Sequence, residues 1–311
     1  MMQFTGTGLI ASMRRLWGRR ANDKARLCLA PQAEGMALAM LERDGQAVRV
    51  GRCEWLPAAE AASSLRIDGI CVLVLPFADY RLLTLEEPQV PAEEIRQAIR
   101  WIVASRLPDV PIEAMSYDLI RIDPTRTGGA RELLVAVAHN ETLQRHLLTA
   151  EQIGVQLTAI DIPEQAQRNL THFLLDDSQH QALLALTPYG GLLTVTQGGD
   201  LCFHRRFDLD WRRLCSADGS IAQTQLDRLG LELQRSVDYL ERYRPDWRLS
   251  VLHVVPTLDP AIIGALAQRL TLPIETLALD RLGHPRHPEP DLLAHCWFAL
   301  GGALRELMAE R

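Results

Sequence analysis

Lysine is almost absent from this chain. Lys24 is the only one; every other basic side chain among the 33 lysines and arginines is arginine. A phosphate-binding P-loop needs Gly-Lys followed by Ser or Thr, and Lys24 is followed by Ala25, so that class of ATPase is excluded. Kinase and Schiff-base mechanisms lose their lysine as well. Arginine-favouring codon usage accounts for the bias, and the exclusion holds whatever its cause.

Other absences narrow the field. The six cysteines (Cys28, Cys53, Cys71, Cys202, Cys215, Cys296) show no C-x-x-C spacing. That pattern fits reduced thiols in a cytosolic protein and gives no support to a zinc or disulfide framework. The longest apolar run, Ile70 to Ala78, is too short to span a bilayer. Arginines follow the short apolar stretch Leu9–Met13 where a secretory signal would place them before it. A net charge of −6 gives no reason to expect nucleic acid as a partner. No G-x-S-x-G elbow positions a nucleophile. His284, His287 and His295, with Glu289 and Asp291 nearby, are the only group resembling metal ligands. Prolines keep the first two off a helix, so a solvated loop is expected there, with neither metal nor other cofactor.

What remains is an ordinary globular composition, 47% apolar over 311 residues, enough for two domains with separate cores. Residues 1–24 stand apart. Arg14, Arg15, Arg19, Arg20 and Lys24 face a single acid, Asp23, while Leu9, Met13, Leu16 and Trp17 fall on one side of a helix. Such a basic amphipathic segment suits an anionic membrane interface; the alternative is a soluble tail with a few apolar residues.

From Arg26 the pattern is strand-like: 26–30, 35–41, 47–55 and the continuous apolar run 70–75. A compact unit follows. A strand at 81–85 leads to a helix over 92–107, opened by Pro91 and stopped by Pro108, then to strands at 115–122 and 132–138. Ile95, Ala98, Ile99 and Ile102 form the helix stripe, with Glu93 and Glu94 expected in its first turn, complementing the helix dipole. Trp101 lies well off the stripe. It either packs at the junction with the first half or stays partly exposed, bordering a groove for a partner. Pro88 and Pro91 are expected to keep the approach to this helix extended and rigid.

Helices at 141–154 and 163–175 flank a strand at 155–161. The second half opens on 183-LLALTPYGGLLTVTQGGDLCFHRRFDL-209, strands turned by Gly190–Gly191 and Gly198–Gly199. His204, Arg205 and Arg206 end it as a basic edge, expected to be solvated or to form a local anion site. A long helix (222–243), a strand (249–255), a helix (260–270), a short strand (274–279) and a last helix (291–308) complete the chain. Each half starts with antiparallel strands and then alternates helix and strand, a duplication of architecture without a repeat in sequence.

The order of elements resembles the PilM-like actin-fold proteins of type IV pilus assembly, nearest the MshI-type component of the mannose-sensitive haemagglutinin (MSHA) pilus. Three segments carry the likeness. In 87-EPQVPAEEIRQAIRWIVASRLPDVPIEAMSYDLIRI-122 the family's pattern falls on Glu94, Ala98–Ile99, Trp101, Pro108 and Asp118. Gly154 to Asp161 matches a Gly-Leu and Ala-Ile-Asp strand, with Val155 in place of leucine. The third is 298-FALGGALRE-306.

The resemblance implies an α/β, actin-like fold of two ribonuclease-H-like halves, 25–175 and 176–311. It places a strand-helix-strand-strand (SHS2-like) module, about 79–139, inside the first half, where it would serve protein contacts. It implies as partner an inner-membrane PilN-type protein, whose short cytoplasmic tail would bind near Trp101, Pro88 and Pro91, and a location at the inner face of the inner membrane. Actin-like ATPases hold phosphates between two glycine hairpins, each led by an aspartate. Alignment puts Ala30 and Ala185 at the aspartates and Gln32 and Thr187 at glycines. The adenosine-side loop becomes 252-LHVVPTLD-259, with no glycine. Alanine neither ligates a metal nor polarises water, so a scaffold without ATPase chemistry is expected. The alternatives are the cytoplasmic L-type component of a type II secretion system and an active ATPase with unorthodox ligands.

Overall fold

The computed structural model describes residues 25–45, 47–58, 70–122, 131–176, 178–215, 220–247, 249–283 and 288–309. The basic segment 1–24 with Leu9, Met13, Arg14, Arg15, Leu16 and Trp17, the turn at 123–129, and His284 and His287 lie outside these residues.

Two sheets repeat one plan. In the first, β1 (Ala25–Gln32), β2 (Gly35–Asp44) and β3 (Ala47–Pro57) form an antiparallel meander. β4 (Ile70–Val74) adds parallel to β1, and β8 (Gln156–Asp161) parallel to β4. In the second, β9 (Gln181–Thr187), β10 (Gly190–Gln197) and β11 (Asp200–Phe207) are the meander, and β12 (Leu252–Val254) and β13 (Ile274–Thr276) add in parallel. The orders β3-β2-β1-β4-β8 and β11-β10-β9-β12-β13 are the same arrangement. β14 (Leu282–Gly283) crosses back to extend the first sheet beside β3. The Gly198–Gly199 turn has positive φ at both residues (58° and 80°), as a two-residue turn between twisted strands demands.

The strand-helix-strand-strand unit makes its own sheet. β5 (Arg81–Glu86), β7 (Glu132–His139) and β6 (Met115–Ile122) lie side by side in that order. α1 (Ile95–Arg106) buries Ile95, Ile99 and Val103 against Leu85, Met115, Leu133, Val135 and Val137. Val103, not Ala98, completes the buried stripe, since 95, 99 and 103 keep the i, i+4 spacing. The helix starts at Ile95, so Glu93 and Glu94 precede its first turn. The opposite face of β7 contributes Ala136 and Ala138 to the first half's core, while Leu134 and Ile122 meet Leu201 of β11. The small sheet thus touches both halves.

α2 (Asn140–Ile153) covers the first sheet with Leu143, Ala150 and Ile153, and Gly154 ends it in the left-handed conformation (φ 81°). α4 (Gln223–Tyr243) and α5 (Pro260–Ala267) cover the second sheet. Between the sheets lie α3 (Pro163–Leu174) and α6 (Pro290–Ala309). α6 buries Leu293, Trp297, Leu300, Ala303 and Leu304 in one apolar cluster with residues of both sheets, as a helix apolar on nearly all sides must. A Cβ at Gly301 would collide with the Ala166 carbonyl of α3, so only glycine permits this helix crossing. No helix among the described residues is long and apolar enough to cross a membrane.

Candidate functional site

The tips of the β1–β2 and β9–β10 hairpins are the place to look, because β-strand ends in a paired-sheet α/β fold deliver side chains to the cleft between the halves. Ala30 and Ala185 are both buried, and they belong to one apolar cluster with Val74, Ala166 and Trp297. Thr187 is spent on its own turn: its Oγ1 donates to Gly190 O at 2.8 Å and accepts from Tyr189 N at 3.2 Å. The chain reverses at Pro188–Tyr189, just before the Gly190–Gly191 pair expected to make the turn.

Gln32 reaches across to α6. Its Nε2 donates to His295 O at 2.7 Å, and its Oε1 accepts from Trp55 Nε1 at 2.8 Å and lies 3.0 Å from His295 Nδ1. The other side of the imidazole belongs to the second half. Arg212 NH2 lies 3.0 Å from His295 Nε2, and Tyr189 OH lies 3.3 Å from Nδ1. Trp55 and Tyr189 flank the ring at centroid distances of 4.8 and 5.7 Å. Arginine only donates, so Nε2 accepts, the ring is neutral, and its proton sits on Nδ1 facing Gln32 Oε1. Burial holds the pKa of His295 below the ordinary 6.5; Asp291 opposes this and Arg212 reinforces it. His295 was grouped by sequence with a histidine loop, yet it works alone on a helix, joining the two tips.

Asp161 and Glu164, two carboxylates at this interface, are committed elsewhere. Asp161 caps Ile162 N and accepts from Arg305 NH1, both at 2.9 Å. Glu164, fully buried, accepts from Tyr80 OH at 2.5 Å and from Arg206 Nε at 2.6 Å. Arg206 also lies over the rings of Phe77 and Tyr80. Burial and the Glu164 charge push the Tyr80 hydroxyl pKa well above its usual value; burial opposes, but Glu164 and Tyr80 hold Arg206 above its own. Arg205 pairs with Glu232. The basic edge 204–206 is therefore only partly exposed: its arginines cross to acids on neighbouring helices, and Arg206 joins the halves. Among the described residues no group of three His, Cys, Asp or Glu side chains converges as a metal site would.

The adenosine-side loop packs onto β9, with Val255 N donating to Leu184 O at 3.1 Å. Beside it opens a cavity of about 470 Å³ with a floor of Leu277, Leu279 and Leu293, proline walls at 256, 288 and 290, and Asp280 and Glu289 in its lining. Among the described residues its lining holds two carboxylates and no cation, a poor match to phosphate.

On α1, Trp101 is 70% exposed among the described residues. Of the two expectations, exposure is what the structure shows. The Pro88–Pro91 approach is not extended. Val90 N bonds to Pro88 O and Glu94 N to Pro91 O, both at 2.9 Å, making two tight turns. A proline φ near −65° suits a turn as well as an extended strand.

Sequence reasoning missed Trp55, Tyr189, Arg212, Glu164 and Tyr80, and singled out His295 only as one of a group resembling metal ligands. One signal was available: α3 carries Glu164, Gln165, Gln167, Asn169 and Thr171 in a stretch too central to be a surface helix, and all five are buried.

No family model matches the chain, and no curated protein matches it by sequence. Among solved structures it is similar to a PilM-PilN type IV pilus biogenesis complex, with 17% identity over 90% of this chain and 98% of that chain and a TM-score of 0.70. It is also similar to the cytoplasmic domain of EpsL, an inner-membrane component of the type II secretion system of Vibrio cholerae. There the identity is 11% over 88% of this chain and 94% of that chain, with a TM-score of 0.50. At such identities the likeness establishes the fold. The chain has the actin-like fold, two related α/β halves around a cleft.

Proposed function

We propose that this chain is a non-enzymatic scaffold at the cytoplasmic face of a type IV pilus assembly platform, of the MSHA type. In this reading the actin-like fold has lost its nucleotide chemistry and binds the short cytoplasmic tail of an inner-membrane PilN-type protein. The observation that carries the proposal is what occupies the two hairpin tips. Where an actin-like ATPase needs two metal-side aspartates, Ala30 and Ala185 lie inside one apolar cluster, and Gln32, His295, Tyr189 and Arg212 bridge the tips. The fold of the PilM-PilN complex supports the choice of system and partner. The L-type secretion component remains the second reading, supported by the EpsL cytoplasmic domain at a lower TM-score.

Calorimetric titration of the chain with the cytoplasmic tail of the PilN-type protein encoded in the same locus tests the scaffold role. Saturable binding is the expected result. No heat with that tail, combined with binding to an L-type partner's tail, would move the chain to the secretion system.

A further inference from the structure

The geometry points to a proton-operated clasp: His295 holds the short helical turn that carries Arg212 only while neutral, and its protonation detaches Arg212 and loosens that turn from α6. The reason is the donor count. Arg212 NH2 sits 3.0 Å from Nε2, a bond that needs the imidazole lone pair. A proton added there would put N–H against N–H and cation against cation, and both cannot stay. Nδ1 already carries its proton toward Gln32 Oε1 and is unaffected. The arm that breaks is the one to Arg212, on the short helical turn Trp211–Leu214 that follows β11.

The charged groups around the ring decide where Arg212 goes. Asp291, one turn earlier on α6, already pairs with Arg212 at 3.1 Å and can take it entirely. Asp210, which caps the same short turn, and Glu34, on the β1–β2 turn, also act on the ring and favour its charged form. Tyr189 contributes a hydroxyl and no charge. Protonation therefore leaves Arg212 paired with Asp291, but only after Arg212 has moved off the ring.

The sign follows from linkage. The folded-state pKa lies below that of the unfolded chain, so below about pH 6.5 the unfolded state binds more protons and stability falls as pH drops. Local loosening should come first, because opening one turn costs less than unfolding the protein.

The test is hydrogen exchange of segments 187–191 and 211–214 in the full chain, corrected for intrinsic rates, between about pH 7.5 and about pH 5. Exchange in 211–214 should rise by at least about tenfold at the lower pH, and by less in 187–191, whose Tyr189 meets the unchanged Nδ1. His295→Gln, which offers an acceptor and a donor but no proton site, should abolish the rise. Arg212→Gln, which keeps the histidine and removes the opposing cation, should reduce it strongly. An undiminished rise in both variants, or a flat profile in the parent chain, would overturn the proposal. Because the readout involves neither nucleotide nor partner, it stands or falls independently of the scaffold role.

Discussion

Arg206 and Glu164 come from opposite halves of the molecule and meet at 2.6 Å, with Tyr80 OH sharing the same carboxylate. Glu164 is fully buried and Arg206 mostly so. A buried pair stabilises little over an apolar substitute, but losing one member strands the other's charge. Arg206→Met should therefore cost about 3 kcal/mol or more. Because the pair couples the halves, thermal unfolding should also separate into two transitions. A melting curve superimposable on that of the parent chain would show that Glu164 does not depend on this arginine.

The two halves also meet through Gly301. Its absent Cβ lets α6 lie against the Ala166 carbonyl, so Gly301→Ala must push the helices apart, at a cost of about 3 kcal/mol for backbone overpacking. Gly264, in α5, has open space around its Cβ position. There the same substitution should stabilise by about 0.5–1 kcal/mol through helix propensity. Denaturant titration of the two variants should move the midpoints in opposite directions.

These contacts show what the sequence made legible. Alternating apolar strands, the Gly198–Gly199 turn and the run 298-FALGGALRE-306 all encode local geometry, and they place both meanders and the central helix. The antiparallel start of each half and the helix-strand alternation after it were legible in the strand spacing; the strand order within each sheet was not. His295, Gln32, Arg206 and Glu164 were opaque for a physical reason. Gln32 and His295 are 263 residues apart, and Arg206 and Glu164 are 42 apart. A basic strand end reads as solvated until the acid that faces it is known. The polar run of α3 signals burial but not its partners: Gln167 Nε2 bonds across to Leu183 O and Thr194 Oγ1, both at 2.9 Å.

Trp101, 70% exposed on α1, makes the partner surface testable without risk to the fold. Trp101→Ala should lower affinity for the PilN-type tail by about 1–2 kcal/mol, because desolvated tryptophans are frequent binding anchors. Stability should change by less than about 0.5 kcal/mol, as for surface positions generally. Unchanged affinity in the calorimeter would place the binding surface elsewhere.

The basic segment 1–24 is expected to hold the protein near anionic lipid through Leu9, Met13, Leu16 and Trp17, with Arg14 and Arg15 meeting head groups. The intact chain should co-sediment with phosphatidylserine vesicles, less so as salt rises. A chain beginning at Ala25 should stay in the supernatant. Equal sedimentation of the two would remove the segment from any membrane role.

Nucleotide binding tests the central claim most directly. Each missing charge-assisted contact removes about 1.5–3 kcal/mol, so losing several carries a micromolar site beyond millimolar. Titration calorimetry of the full chain with ATP, with and without Mg²⁺, should show no saturable heat at micromolar nucleotide and no dependence on the metal. Micromolar, Mg²⁺-dependent affinity would contradict the scaffold reading and return Ala30 and Ala185 to an active cleft.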